Sequence, residues 1–140
     1  MIAYFDTSAL VPLVVEEPGS TLCARLWDEA AHVVSVRIAY AEGRAALAQA
    51  HRLGRLTGPV LREAVSRFDV IYDQLDRIEV DDELVRRAGH LAEEHALRGY
   101  HAVHLAAAER VRGRDAVLIS GDVHLCRAAR QMGFAVSQPQ

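Results

Sequence analysis

The sequence predicts an α/β protein with a three-layer α/β/α fold, in which a short parallel sheet lies between two layers of helices. Short apolar runs alternate with helical patterns along the whole chain, and the connections between them are only a few residues long. No linker, repeat or low-complexity tract interrupts this alternation. The 140 residues therefore predict a single domain covering residues 1–140.

The composition is that of a globular protein. Hydrophobic residues make up 51% of the chain and charged residues 25%, which predicts a globular protein instead of a disordered one. No apolar run approaches the ~20 residues of a membrane span, and no basic leader precedes the first apolar stretch, so we expect a cytoplasmic protein with no membrane partner. A net charge of −3 gives no basic surface for direct, non-specific binding of DNA.

The basic residues and the cysteines of the sequence restrict the chemistry that is expected. All sixteen basic residues are arginine, so mechanisms that need a catalytic lysine are excluded. Cys23 and Cys126 lack a CxxC spacing and fall in helix-like patterns, which predicts buried, reduced thiols.

The first predicted strand ends on an acidic residue. Residues 2–5 are apolar and partly aromatic, Asp6 follows at once, and Thr7 or Ser8 can cap a helix that begins at Ala9. Open α/β sheets bind their ligands at the carboxyl ends of the strands, which is where Asp6 is expected. Simple capping of the helix is the alternative role for Asp6.

The next part of the chain supplies a second acidic candidate. It predicts a turn with Ser20 as a helix cap, followed by a helix, a strand and a helix at residues 20–31, 33–36 and 37–53. Glu42 lies in the first turns of the last helix, on the same face as Ala45 and Gln49. It is expected to project toward the sheet edge that carries Asp6, although a solvent-facing glutamate is the alternative.

The second half of the chain continues the alternation. Gly58-Pro59 begins a helix with a strong apolar stripe at Leu61, Val65, Phe68, Tyr72 and Leu75. The remaining predicted elements are a strand at 78–80, a helix at 81–96, a helix from 101, a strand at 116–120, a helix ended by Gly133 and a strand at 134–136. The strand at 116–120 is the clearest of these, and Gly121 and Asp122 follow it.

Three carboxylates are therefore expected at one edge of the sheet. Asp6, Glu42 and Asp122 would repel each other there unless cations neutralised them. Hard divalent ions, Mg²⁺ or Mn²⁺, suit such oxygen-only sites. An acidic metal site in turn suits the hydrolysis of phosphodiesters, in which metal ions activate water and stabilise the leaving oxygen.

Four motifs occur in a specific order: residues 4–10, Ala41-Glu42, residues 97–100 with 102–106, and residues 119–122 followed by Leu125. With these motifs, nearly the whole sequence resembles a PIN-domain ribonuclease of the VapC toxin type. The resemblance implies a Mg²⁺-dependent endoribonuclease toxin of a type II toxin–antitoxin system, with RNA as substrate and usually a homodimer. It also implies a cognate, VapB-like antitoxin that blocks the acidic pocket and binds DNA through its other end.

The same resemblance assigns roles to individual residues. Asp6, Glu42 and Asp122 match three acidic positions that hold the metal and serve catalysis, and Ser8 matches a hydroxyl residue that supports the first acid. His101 stands at the fourth position, where the family typically has aspartate. Imidazole can bind Mn²⁺ but is a poor Mg²⁺ ligand, and its presence removes one negative charge. The alternative is therefore a catalytically inactive PIN-like module that binds an antitoxin or RNA.

Three alternatives to this interpretation exist, one for the role of His104 and two for the class of protein. His104 lies one helical turn after His101, so a two-histidine metal pair is an alternative to a structural role for His104. A receiver-type phosphoacceptor domain would need a lysine, which the chain lacks. A haloacid-dehalogenase-type phosphatase would need an aspartate at position 8, where Ser8 stands.

Overall fold

The computed structural model of the chain describes residues 1–113 and 115–139. Within these residues, five strands form a parallel sheet. The strands are β1 (Ile2–Phe5), β2 (His32–Val36), β3 (Asp76–Ile78), β4 (Ala116–Ile119) and β5 (Ala135–Ser137). Their order in the sheet is β3-β2-β1-β4-β5, so β1 is the central strand.

Helices connect the strands and cover both faces of the sheet. They are α1 (Thr7–Leu10), α2 (Ser20–Glu29), α3 (Ala39–Arg52), α4 (Gly58–Gln74), α5 (Asp82–His95), α6 (Gly99–Arg110) and α7 (Val123–Gln131), and a 3-10 turn (Val11–Leu13) follows α1. Among the described residues no helix is long and apolar enough to cross a bilayer. Gly54 and Gly133, with φ of 78° and 87°, follow α3 and α7 in a left-handed conformation that glycine adopts without a Cβ clash.

The core has two parts, one on each face of the sheet. Apolar residues of α5, α6 and α7 pack on one face, around Leu91, Leu105 and Leu118. Residues of α1 to α4 pack on the other, around Phe5 and Phe68. Both faces of the sheet are therefore buried between helices, and the predicted three-layer α/β fold is confirmed. The thiols of Cys23 and Cys126 are free and buried, as predicted.

The structure corrects several predicted boundaries. The third strand is Asp76–Ile78 instead of 78–80, because Val34 pairs with Asp76 and Val36 with Ile78. Residues 79–80 are needed for the connection in which Asp81 accepts a hydrogen bond from Leu84 N and caps α5. The last strand, Ala135–Ser137, begins one residue later than predicted, and α2 ends at Glu29 instead of residue 31.

The predicted helix caps near the N-terminus were also wrong. Helix α1 begins at Thr7, so neither Thr7 nor Ser8 is its cap. Asp6 occupies the N-cap position, but its side chain makes no capping hydrogen bond. Ser20 is the first residue of α2, and its hydroxyl accepts a hydrogen bond from Glu17 N and donates one to Val15 O. The Ser20 side chain therefore stabilises the turn before the helix.

The contact between α3 and α4 gives a prediction about stability. A Cβ added to Gly43 on α3 would overlap the ring of Phe68 on α4, which is fully buried. We expect Gly43→Ala to lower the free energy of unfolding by about 1–3 kcal/mol through overpacking. Gly89→Ala on α5 is the matched control, because its added Cβ has no neighbour within 4 Å beyond the adjacent residues and the backbone of its own helix. That control should gain about 0.5–1 kcal/mol from helix propensity.

Urea denaturation of both variants measures these two changes. If Gly43→Ala proves as stable as the unaltered chain, Gly43 on α3 does not pack closely against the ring of Phe68 on α4.

Candidate active site

Asp6 lies at the centre of the sheet's carboxyl edge. Phe5 pairs with Ile119 across β1 and β4, so the residues that follow them, Asp6 and Ser120, are neighbours. Asp6 Oδ2 accepts hydrogen bonds from Ser120 Oγ at 2.6 Å and from Ser8 Oγ at 2.7 Å. Ser8 Oγ also accepts a hydrogen bond from Gly121 N at 2.9 Å. One oxygen of the buried Asp6 carboxylate is thereby fixed between two strands.

Glu42 reaches the same edge from the first turn of α3. Its Oε1 accepts a hydrogen bond from Thr7 Oγ1 at 2.9 Å and lies 2.8 Å from His104 Nε2. His104 Nε2 is also 3.4 Å from Asp6 Oδ1. The prediction that Glu42 projects toward Asp6 agrees with this arrangement, in which both carboxylates contact a single imidazole.

Asp122 and His101 form a second pair beside the first. Asp122 Oδ1 accepts a hydrogen bond from Leu125 N and caps α7, while Asp122 Oδ2 lies 3.5 Å from His101 Nε2. Asp122 N donates to Ser120 Oγ, which links this pair to Asp6 through one serine. The side chains of Asp122 and His101 retain 25% and 12% of their exposure, so both are partly open to solvent.

Two cavities open at this edge of the sheet. A cavity of about 630 Å³ is lined by Asp6, Thr7, Ser8, Glu42, Tyr100 and His101, among others. A neighbouring cavity of about 380 Å³ is lined by Arg98, Tyr100, His101, Asp122 and His124, among others. Tyr100 and His101 line both cavities, and their rings lie 4.1 Å apart between centroids. His101 therefore stands between the Asp6–Glu42 carboxylates and Asp122.

The ionisation of the buried groups follows from these contacts. Burial, together with the nearby Asp6 carboxylate, raises the pKa of Tyr4 well above its ordinary value. Burial acts to lower the pKa of His104, but the charges of Asp6 and Glu42 and the hydrogen bond to Glu42 raise it by more. Tyr4 Oη lies 2.9 Å from His104 Nδ1, so the neutral phenol and the imidazole form one buried network with the carboxylates.

The donor set fits a hard divalent cation in its chemistry. Asp6 and Glu42 both line the larger cavity. Among the described residues, no hydrogen bond reaches Glu42 Oε2, and Asp6 Oδ1 has only the 3.4 Å contact with His104 Nε2. Mg²⁺ commonly uses one or two carboxylates and keeps several waters. Within residues 1–113 and 115–139, however, no group of three or more His, Cys, Asp or Glu side chains is arranged to hold a metal ion.

Of the predicted site residues, the structure thus brings Asp6, Glu42 and Ser8 to one cavity. It places Asp122 and His101 at the adjoining one, with His101 reaching both. Sequence reasoning missed Thr7 and Ser120 as partners of the two carboxylates, and it missed Tyr4 as the partner of His104. The available signal was a hydroxyl residue within two positions of the end of β1 and of β4, at positions 7 and 120. Nothing in the sequence pairs Tyr4 with a residue a hundred positions away.

Comparison with known proteins adds the family. The PIN domain family matches residues 3–131 of the chain. Ribonuclease VapC45 of Mycobacterium tuberculosis is 40% identical over 139 residues, covering 99% of this chain and 96% of that protein. Ribonuclease VapC46 of the same species is 33% identical over 136 residues, covering 97% of this chain and 96% of the relative.

Solved structures show the same fold at lower identity. The M. tuberculosis toxin VapC20, described as cleaving the sarcin-ricin loop, has a TM-score of 0.72 at 17% identity, and the match covers 98% of this chain and 99% of that one. A toxin–antitoxin complex from Klebsiella pneumoniae has a TM-score of 0.68 at 18% identity and covers 99% of this chain and 98% of that one. The solved structures show the shared fold. The family match over residues 3–131 and the 40% identity to a VapC ribonuclease show that the chain belongs to the PIN-domain family and is of the VapC type.

Proposed function

We propose that this chain is a single-domain endoribonuclease toxin of a type II toxin–antitoxin system, acting in the cytoplasm and dependent on Mg²⁺ or Mn²⁺. The observation that carries the proposal is the pair of carboxylates at the sheet edge. Asp6 and Glu42 are each anchored through one oxygen by two protein groups, and both line the same 630 Å³ cavity. The 40% identity to a protein named ribonuclease VapC45 supports the reaction.

Asp6 and Glu42 would hold the cation, and Asp122 would contribute through the oxygen near His101. A divalent cation held there would activate a water molecule as the nucleophile and offset negative charge on the phosphate. The protein's own residues hold the two carboxylates in position. Ser8 and Ser120 keep Asp6 in place, and Thr7 does the same for Glu42. Preorganised ligands of this kind avoid the cost of ordering side chains during the reaction.

His101 is expected to reduce the activity of this site. It replaces a carboxylate at a position that lines both cavities, and its Nε2 faces Asp122 at 3.5 Å. A neutral imidazole adds no negative charge to the cluster and is a poor ligand for Mg²⁺. We therefore propose weaker cation binding, and slower cleavage, than an aspartate at this position would allow.

A non-catalytic PIN-like module that binds an antitoxin or RNA is the second candidate. The supporting observation is that, within the described residues, no three His, Cys, Asp or Glu side chains are arranged to hold a metal ion. Such a module would keep the cavity and its rim, including Arg98 and Tyr100, without cleaving RNA.

The proposed partners follow from the toxin assignment. RNA is the substrate, and a cognate VapB-like antitoxin would block the cavity at Asp6 and Glu42. Contact with DNA would come only through the antitoxin. We also propose a homodimer, for which exposed apolar side chains on α4 such as Val60 and Val70 offer contact surface.

Induction in a bacterial host tests the proposed function. Expression of the unaltered chain should slow growth, and co-expression of the antitoxin gene next to it in its own genome should restore growth. Asp6→Asn is the matched variant, because it removes one charge without changing the size of the side chain. If growth does not change but the antitoxin still co-purifies with the chain, the non-catalytic module is the better description.

A further inference from the structure

His104 on α6 is the fully buried imidazole of the site. Its side chain has no exposed surface, and its two ring nitrogens contact different partners. Nδ1 lies 2.9 Å from Tyr4 Oη on β1, whereas Nε2 lies 2.8 Å from Glu42 Oε1 on α3. The ring therefore joins the central strand to the helix that carries one of the proposed cation ligands.

The two carboxylates are held in parallel ways. Asp6 Oδ2 accepts two hydrogen bonds, from the hydroxyls of Ser8 and Ser120. Glu42 Oε1 likewise has two partners, the hydroxyl of Thr7 and the imidazole of His104. The imidazole thus has the role at Glu42 that the second serine has at Asp6. The other oxygen of Glu42, Oε2, is then available to bind a cation in the cavity.

The phenol of Tyr4 orients this imidazole. Tyr4 is 1% exposed and its Oη lies 2.9 Å from Nδ1. A phenol is a hydrogen-bond donor at neutral pH, so Tyr4 can donate a hydrogen bond to Nδ1. In that arrangement the imidazole carries its own proton on Nε2, which faces Glu42 Oε1. Hydrogen-bonded partners of ligands commonly fix ligand orientation in this way.

We propose that His104 is a positioning residue, which fixes Glu42 by donating a hydrogen bond from Nε2–H to Oε1 while Tyr4 fixes the ring through Nδ1. The inference rests on the proposed function, because Glu42 matters in it as a cation ligand. An apolar side chain of similar volume would fill the same space, so what distinguishes His104 is the identity of its partners, which include the carboxylate of Glu42.

Two variants of His104 separate the contributions of the two ring nitrogens. In His104→Gln the amide nitrogen lies near the place of Nε2 and can donate to Glu42, but the contact with Tyr4 is lost. In His104→Asn the amide lies near the place of Nδ1 and can still pair with Tyr4, but Glu42 loses the donor at Nε2 and keeps only the hydroxyl of Thr7. Both side chains are polar and smaller than imidazole, so their general effects on the core should be alike.

Calorimetric titration with Mn²⁺ measures the effect. We expect His104→Asn to bind Mn²⁺ about 10–100-fold more weakly than the unaltered chain, as for other partners of metal ligands. His104→Gln should recover most of that loss. His90→Asn, at an exposed histidine on α5, is the control and should bind like the unaltered chain. Equal affinities for His104→Asn and His104→Gln would overturn the proposal.

A second measurement separates this inference from the proposed function. Nitrogen-15 NMR of the metal-free protein should show a slowly exchanging proton on His104 Nε2, which the Glu42→Gln substitution shifts. A His104 ring without a proton on Nε2 would overturn the positioning role even if Mn²⁺ binds. Absence of Mn²⁺ binding by the unaltered chain, with the Nε2 proton present, would instead reject the proposed cation site.

Discussion

His101→Asp should convert this chain into a faster, Mg²⁺-dependent ribonuclease. An aspartate there would stand in the first turn of α6, where the helix dipole favours a negative charge. It would face both cavities, as His101 does, and would add a hard oxygen ligand between Glu42 and Asp122. We expect cleavage of pooled RNA to rise on the order of 10–100-fold, the range seen when groups that support a metal site change.

His101→Asn is the matched control for this gain. It has the size of aspartate but no charge, so it should not increase cleavage. Before any cation is added, His101→Asp should be less stable than His101→Asn, because its carboxylate lies near Asp122. Adding Mg²⁺ should reverse that order. If both variants cleave RNA no faster than the unaltered chain, the position is not a ligand position and the non-catalytic module is favoured.

Asp6→Asn should remove most of the stabilisation that divalent cations give to the folded chain. A ligand at 100 times its dissociation constant adds about 2.7 kcal/mol to the free energy of unfolding, which is several degrees in Tm for a chain of this size. The asparagine can keep its contacts with the hydroxyls of Ser8 and Ser120 while losing the charge that attracts the cation. The fold should therefore survive the substitution.

Thermal melts with millimolar Mg²⁺ and Mn²⁺ measure this effect. Asp28→Asn on α2 makes the same change in net charge at an exposed position and should respond to cations like the unaltered chain. A larger shift with Mn²⁺ than with Mg²⁺ would indicate that His101 is a ligand. If neither ion shifts the Tm of the unaltered chain, Asp6 and Glu42 do not form a cation site.

Much of the fold could be predicted because it depends on local patterns. Short apolar runs such as residues 2–5 form buried strands, and Gly54 and Gly133 end helices in the left-handed conformation. The position of the third strand could not be predicted in the same way. Asp76–Ile78 is polar at two of three positions, and only pairing with β2 makes it a strand.

The proposed site was predictable only in part, for a similar reason. Asp6 and Glu42 were expected at one sheet edge because each comes directly after a strand or in the helix that follows one. Their hydrogen-bond partners come from elsewhere in the chain, as with Tyr4 and His104, or with Asp6 and Ser120. Sequence spacing carries no information about contacts between residues 60 to 100 positions apart, so the buried network around His104 became visible only in the structure.

The most direct test of the proposed cation site is cleavage of a pooled RNA substrate by the unaltered chain and by Asp6→Asn, with and without Mg²⁺ or Mn²⁺. We expect slow cleavage by the unaltered chain that requires a divalent cation, stops when the cation is chelated, and is lost in Asp6→Asn. Cleavage that continues without a cation, or that is equally fast in Asp6→Asn, would contradict the proposal that Asp6 and Glu42 form the catalytic cation site.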